Sequence, residues 1–296
     1  MTGPAATGAV LLLDVHSLVH RAHHALPPMN TSRGEPTGGL YGLSSLLCKL
    51  LRERRPAGIG MAFDAGARRR RAVEPGYKAS RKPLPPELAG QLGRARDLAA
   101  AIGAPVLRVD GEEADDVLAT AARELSEAGG EALLVTGDRD LLQTIGPRVR
   151  VLFVGRRGGP HVEYDQAAVE KQYGVAPAEM PALRAFLGDP ADELPGVPGV
   201  GPRIAARWVA AHRDIAGVLA AATQLSPAHL RPTLETHADQ LRRVEALGTL
   251  ATDLPLGSGS RFAVWDAAAA RGLRGWFEEL EFRSLITRLD ALAAAM

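Results

Sequence analysis

Cysteine occurs once in these 296 residues, at Cys48. That excludes an intramolecular disulfide and suits a reducing compartment. Aromatics are scarce, at 4%. No apolar run approaches the ~20 residues needed to span a bilayer, so no membrane partner is expected. The opening MTGPAATGAVLLLD lacks the basic start of a signal peptide, and its apolar run ends on an acid. It reads as a first strand, and cytoplasm is the expected compartment. With charged residues at 23% and hydrophobics at 46%, the composition is that of an ordinary soluble globular protein. The length allows one large domain or two smaller ones with a real core.

Net charge is only +1, but it is strongly polarised along the chain. Residues 49–82 carry eleven Lys and Arg against three acids, a net +8, and residues 110–140 carry ten acids against two bases, a net −8. A basic segment beside an acidic cluster suits a polyanionic substrate, with bases on the phosphates and metal ions on the acids. Taken alone, RRRR at 68–71 reads equally well as a solvated face.

The first part alternates strand-like and helix-like runs. Strands are predicted at 9–13, 58–63, 105–109, 131–136 and 149–154, and helices at 15–24, 40–54, 87–102, 114–128 and 138–145. Such alternation predicts a mostly parallel sheet with helices on both faces. The basic, Gly- and Pro-punctuated segment near 65–86 is long for a loop in a compact domain. From about 165 no convincing strand occurs, and Ala- and Leu-rich stretches are separated by Pro and Gly. The chain is therefore divided into an α/β domain, 1–164, and an all-helical domain, 165–296.

Nine carboxylates fall in five clusters: Asp14; Asp64; Glu113, Asp115 and Asp116; Asp138 and Asp140; Asp189 and Asp192. Four of these clusters follow or lie close to apolar strand-like runs. In an open α/β sheet, ligands gather beyond the carboxyl ends of strands, so these acids are expected to share one rim. Phosphodiester hydrolysis needs an activated water and charge neutralisation, which two divalent ions ~4 Å apart supply. Mg²⁺ prefers oxygen ligands, and the set is poor in His and Cys. Each cluster alone is also explained by acids at helix starts, where the dipole favours them, or by Asp138 as an N-cap. Their recurrence after successive strands favours the metal reading.

Other signals fail. Gly199-Val200-Gly201 begins like a dinucleotide fingerprint, but Ile204 stands at the third glycine. His16, His20, His23 and His24 crowd one helix without a cysteine partner, so zinc is not expected. Cys48, in a leucine-rich helix, reads as a small core residue.

The motifs LLLD, TSRGEP followed by YG, AFDA, GYKASR, EADDV, TGDRDLLQ and GDPADELPGVPGVGPRIA together resemble the 5′-nuclease family. That family comprises the N-terminal domain of bacterial DNA polymerase I and its flap-endonuclease relatives. The resemblance covers nearly the whole chain and, with no polymerase region following, is to a stand-alone form. It implies a PIN-like α/β fold with a helical C-terminal domain containing a helix–three-turn–helix. Asp14, Asp64, Glu113, Asp115 and Asp116 resemble the acids around a first metal ion, and Asp138, Asp140, Asp189 and Asp192 those of a second. Arg71, Lys78 and Arg81 match the basic arch residues that clamp the scissile phosphate, Tyr77 matches a residue that stacks on a base, and Arg21 an arginine near the site. Ser32 and Arg33 match a segment near the strand junction. Gly199, Val200, Gly201 and Arg203 fall in the turn that grips the duplex backbone, often with K⁺. Val15, Glu112 and Glu193 depart from the family pattern without removing an acid.

The resemblance thus implies a Mg²⁺- or Mn²⁺-dependent 5′-3′ exonuclease or flap endonuclease. It would act as a monomer on DNA with 5′ ends, flaps or branches; polymerase or ligase contacts stay open. Two other readings stand beside it. One is a non-catalytic branched-DNA-binding module, against which all nine acids are filled. The other is a metal-dependent ribonuclease, which would have no use for the duplex-gripping motif.

Overall fold

The computed structural model describes residues 8–80, 82–155, 159–190, 192–257 and 262–293. Elements run in the order β1 (Val10–Asp14), α1 (Val15–Ala25), α2 (Gly38–Arg54), β2 (Gly58–Ala62), α3 (Arg68–Val73), α4 (Pro86–Ala101), β3 (Val106–Leu107), α5 (Ala114–Glu127) and β4 (Ala132–Thr136). A 3-10 turn (Asp140–Thr144) precedes β5 (Val149–Phe153), β6 (Val162–Tyr164) and α6 (Gln166–Tyr173). Then come α7 (Met180–Leu187), α8 (Pro202–His212), α9 (Ile215–Ala220), α10 (Arg231–Thr236), α11 (Ala238–Gly248), α12 (Ala267–Glu279) and α13 (Arg283–Ala293).

The sheet order is β3-β2-β1-β4-β5-β6, with the first five strands parallel and β6 antiparallel at one edge. The predicted strand at 105–109 contracts to two residues, and β6, too short to show a period, was not foreseen from sequence. Every residue of β1, β2 and β4 is buried, as expected where helices cover both faces of a parallel sheet. Alternation sorts their side chains into two cores. Leu11, Leu13, Leu133 and Val135 face α1, α2 and α4, whereas Val10, Leu12 and Leu134 face α5. Each fully buried leucine contributes roughly 1.5–3 kcal/mol from burial.

Leu273, Trp276, Phe277, Leu285 and Leu289, from α12 and α13, join the first of these cores. The chain therefore returns to the sheet after the helices that precede it. A third core, with Phe186, Trp208, Val209 and Leu241, is built from α7 to α11. Among the described residues, no helix is long and apolar enough to cross a membrane.

β1 and β4 lie side by side, although the chain leaves β1 toward β2 on one flank and runs from β4 to β5 on the other. Their carboxyl ends flank the switch point of the sheet, where open α/β folds place their ligands.

Candidate functional site

Asp14 ends β1 and also caps α1. Its Oδ1 accepts from the Ser17 amide at 3.1 Å, and Oδ2 accepts from the Thr136 hydroxyl at the end of β4, at 2.6 Å. Asp64 lies two residues beyond β2; its Oδ1 accepts from the Ala114 amide at 2.7 Å, which places it at the start of α5. Asp138, after β4, accepts from the Asp140 amide at 3.0 Å. Local hydrogen bonding thus holds three strand-end carboxylates in place.

Electrostatics shows that these acids form one group. Burial and the neighbouring Asp64 and Asp138 push Asp14 up to about 7, against the pull of the Thr136 hydrogen bond. Asp115 is raised well above the carboxylate range by burial, then by Asp138, Asp14, Asp64 and Glu113. Burial also raises Asp138, with Asp192 and Asp189 adding to it and Arg184 opposing. Like charges that raise one another's proton affinity across all five clusters form a strongly negative pocket.

Basic side chains answer the rest. Arg184, on α7, bonds Asp140 and Asp189 and reaches Asp192 at 3.2 Å. Lys78 Nζ sits 2.7 Å from Glu113 and 3.6 Å from Asp192. Burial opposes the charge on Lys78, but these two acids hold its affinity for the proton above the usual lysine range. Arg184 carries no sequence motif and was missed; only its position five residues before Asp189 hinted at it.

Asp116 stands apart from the other acids. It is fully buried, and its carboxylate takes Arg69 Nη2 at 2.8 Å, Arg70 Nη1 and the Ala251 amide at 2.7 Å. Arg70, also buried, bonds Glu113 at 2.6 Å and the Leu247 carbonyl at 3.0 Å. Asp116 is therefore a strut between α3, α5 and the segment after α11. As the side chains stand, its oxygens are taken up by these partners.

Several other expectations change. In RRRR, Arg69 and the buried Arg70 both reach Asp116, and Arg71 is exposed to solvent. Tyr77 is 5% exposed, with its hydroxyl 3.4 Å from Glu113 and 3.3 Å from Asp192, so its ring is covered and is not offered to a base. Arg81 lies outside the described residues. Arg21 donates to the Gly137 carbonyl and lies over Phe153, beside the Asp138 loop. Ser32, in an exposed loop with Arg33, is held by Glu281 from the α12–α13 turn.

The acids Asp189 and Asp192 share one connection, 188–201, with the PGVPGVG turn. Gly188, at φ +72°, crosses Gly196 so closely that a Cβ there would lie 2.4 Å from the Gly196 nitrogen. Only glycine fits. Beyond the crossing, Val197 and Val200 are buried in the helical core, while Gly199, Gly201 and Arg203 face solvent at the start of α8. The Val200 side chain is thus a core anchor, and what this turn exposes is backbone and the Arg203 side chain.

A divalent ion fits the donor chemistry of the rim. Asp14, Asp64, Asp115 and Asp138 are oxygen ligands, and an ion would relieve their mutual repulsion. As the side chains stand, among the described residues no three His, Cys, Asp or Glu groups close on a single point tightly enough to hold one. The protein's own Arg184 and Lys78 span the outer acids instead.

Fold and rim define a class: a parallel α/β unit with a crowded acidic switch point, joined through a glycine-rich turn to a helical unit. Comparison with known proteins narrows it. Residues 9–174 match the model of the 5′-3′ exonuclease N-terminal resolvase-like domain, and residues 175–268 that of the 5′-3′ exonuclease C-terminal SAM fold. The chain belongs to the 5′-3′ exonuclease family. It is 38% identical over 293 residues to DNA polymerase I of Mycobacterium leprae, covering 97% of this chain and 32% of that protein. Against the thermostable DNA polymerase I of Thermus thermophilus, identity is 36% over 97% of this chain and 34% of the polymerase. The chain thus spans about a third of these relatives. The structure of T5 5′-exonuclease with bound zinc superposes with a TM-score of 0.66 at 18% identity, covering 91% of this chain and 98% of that one. The catalytic core of Rad2 in complex with DNA substrate gives 0.63 at 15%, covering 96% and 93%.

Proposed function

We propose that the chain hydrolyses phosphodiester bonds in DNA near 5′ ends and flaps, as a metal-dependent 5′-3′ exonuclease or flap endonuclease. The carrying observation is that Asp14, Asp64 and Asp138 stand at or just beyond the carboxyl ends of β1, β2 and β4, with Asp64 bonded to the start of α5 beside Asp115. There burial and their charge raise Asp115 well above the carboxylate range. A protein keeps such a concentration of like charge for cations. Asp14, Asp64, Asp115 and Asp138 would hold one ion, and the Asp138, Asp140, Asp189 and Asp192 side a second; Mg²⁺ or Mn²⁺ suits the oxygen set. Bound there, two ions supply an activated water and stabilise the leaving oxygen.

The chain's own residues do the rest. Lys78, held between Glu113 and Asp192, is placed to pass its hydrogen bonds from carboxylate to phosphate. Arg21 borders the rim on the other side. Gly199, Gly201 and Arg203 offer backbone amides and a cation to a duplex backbone, with K⁺ as a further candidate there. The division of labour we infer is an α/β part, 1–164 with α12 and α13 packed back on it, that cuts, and a helical part, α7 to α11, that holds duplex. The work is that of a cytoplasmic monomer.

Two proteins of like fold support the reading: T5 5′-exonuclease is solved with divalent zinc bound, and the Rad2 catalytic core in complex with DNA substrate. The test is a 5′-labelled flap duplex incubated with and without Mg²⁺, with the cut mapped. Ion-dependent cutting at the junction supports the reading. A protein that binds the flap and leaves it whole under all divalent ions is a binding module instead.

A further inference from the structure

Arg21 separates two cavities. On one side lie the acids, with Asp138, Asp140, Asp189 and Asp192 in the lining. On the other, between α1, α2 and α13, lies a second cavity of about 690 Å³. Among the described residues, no Asp or Glu lines it. Its floor is apolar, lined by Leu18 of α1, Leu26 just beyond that helix, Leu46 of α2 and Leu292 of α13. Cys48 joins that floor as an uncharged thiol, because burial pushes it up to about 11.

The rim is cationic. Lys49 and Arg52 come from α2, Arg288 from α13 and His161 from the chain before β6. Arg288 is steadied by Ser45 at 3.1 Å. Arg52 meets Glu53 at 3.4 Å with 69% of its side chain in solvent, a weak pairing that leaves its charge available. Burial, and next the Lys49 ammonium, keep His161 below the usual imidazole range, so it remains a neutral donor and acceptor. Like charges gathered around an apolar floor repel one another unless an anion joins them. The volume falls within the ~300–1,000 Å³ of sites for single small ligands. Inorganic phosphate would satisfy the rim and leave the floor bare; a nucleotide satisfies both.

We propose that this cavity is a nucleotide subsite, with the phosphate on Lys49, Arg52 and Arg288 and the base on the floor between α1 and α2. It opens at the carboxyl end of β5, where Val154 and Gly155 line it, on the same rim as the acids. The bound nucleotide is either a free mononucleotide or the end of a strand. Only that question of source rests on the nuclease reading.

The experiment uses the full chain without divalent ions, titrated calorimetrically with a nucleoside 5′-monophosphate, the nucleoside and inorganic phosphate. A second arm uses a short single-stranded oligonucleotide. The monophosphate, or the oligonucleotide if the source is a strand end, binds at least tenfold more tightly than nucleoside or phosphate. The exposed double variant Lys49→Glu, Arg52→Glu, checked for an unchanged melting curve, loses at least tenfold of that affinity. Saturable binding indifferent to the double variant overturns the subsite, as does the absence of saturable binding in both arms. Because nothing is cleaved, failure here leaves metal-dependent cutting to be judged separately.

Discussion

The Thr136 hydroxyl donates to Asp14 Oδ2 at 2.6 Å, tying together the ends of the two central strands at the switch point. That bond favours the ionised carboxylate, yet burial and the nearby acids still lift Asp14 to about 7. An acid whose affinity is raised by folding holds its proton more tightly in the native state than in the unfolded one. Metal-free stability should therefore fall as pH rises from about 4 through about 7, by up to about 4 kcal/mol for this one group. Denaturant melts of the metal-free protein should show the decline, and Asp14→Asn should flatten it. A decline of equal size in Asp14→Asn would assign it to other groups. Divalent ions should restore stability above pH 7, where they no longer compete with the proton.

Asp115 and Asp116 are neighbours with opposite duties. Asp116→Ala leaves the buried Arg70 guanidinium with Glu113 as its one acidic partner, strips Arg69 and the Ala251 amide of theirs, and should cost about 3–5 kcal/mol. Asp115→Asn removes a repelled charge; it should leave the metal-free protein as stable or more so, while abolishing cleavage and sparing flap binding. Thermal melts of the two variants should diverge accordingly. Equal destabilisation would erase the distinction between strut and site.

Gly188→Ala forces a Cβ against the Gly196 nitrogen at a positive φ. A loss of at least about 2 kcal/mol is expected, with cleavage reduced because Asp189 and Asp192 sit on the same loop. Retained activity with normal stability would show that the crossing can open freely.

Arg203→Ala, at the exposed start of α8, should weaken duplex binding alike for all sequences. It should also lower the slope of log affinity against log salt by about one. The change should appear in KM with kcat preserved. An unaltered salt slope would take Arg203 off the duplex.

Much of this architecture was legible in the chain. VLLLD and ALLVT each alternate between two cores and end where the rim begins, so strand and carboxylate announce each other. What was hidden lacked a period or a contrast. Four identical arginines carry no phase, so nothing in RRRR distinguishes Arg70, which is buried, from Arg71, which is exposed. Tyr77 lies in a stretch without apolar spacing, and its burial comes from distant Leu247 and Leu194. Asp116 reads like Asp115 until Ala251, far along the chain, presents its amide. The return of α12 and α13 to the sheet likewise depends on contacts between the two ends of the chain.

The central claim is that the strand-end carboxylates are a cation site. Mn²⁺ titration followed by calorimetry and paramagnetic resonance, on the protein without DNA, tests it most directly. The account predicts saturable binding to the wild type, accompanied by proton release near pH 7, and loss of at least one ion in Asp115→Asn but none in Arg203→Ala. Binding of Mn²⁺ that is the same in all three proteins would contradict it.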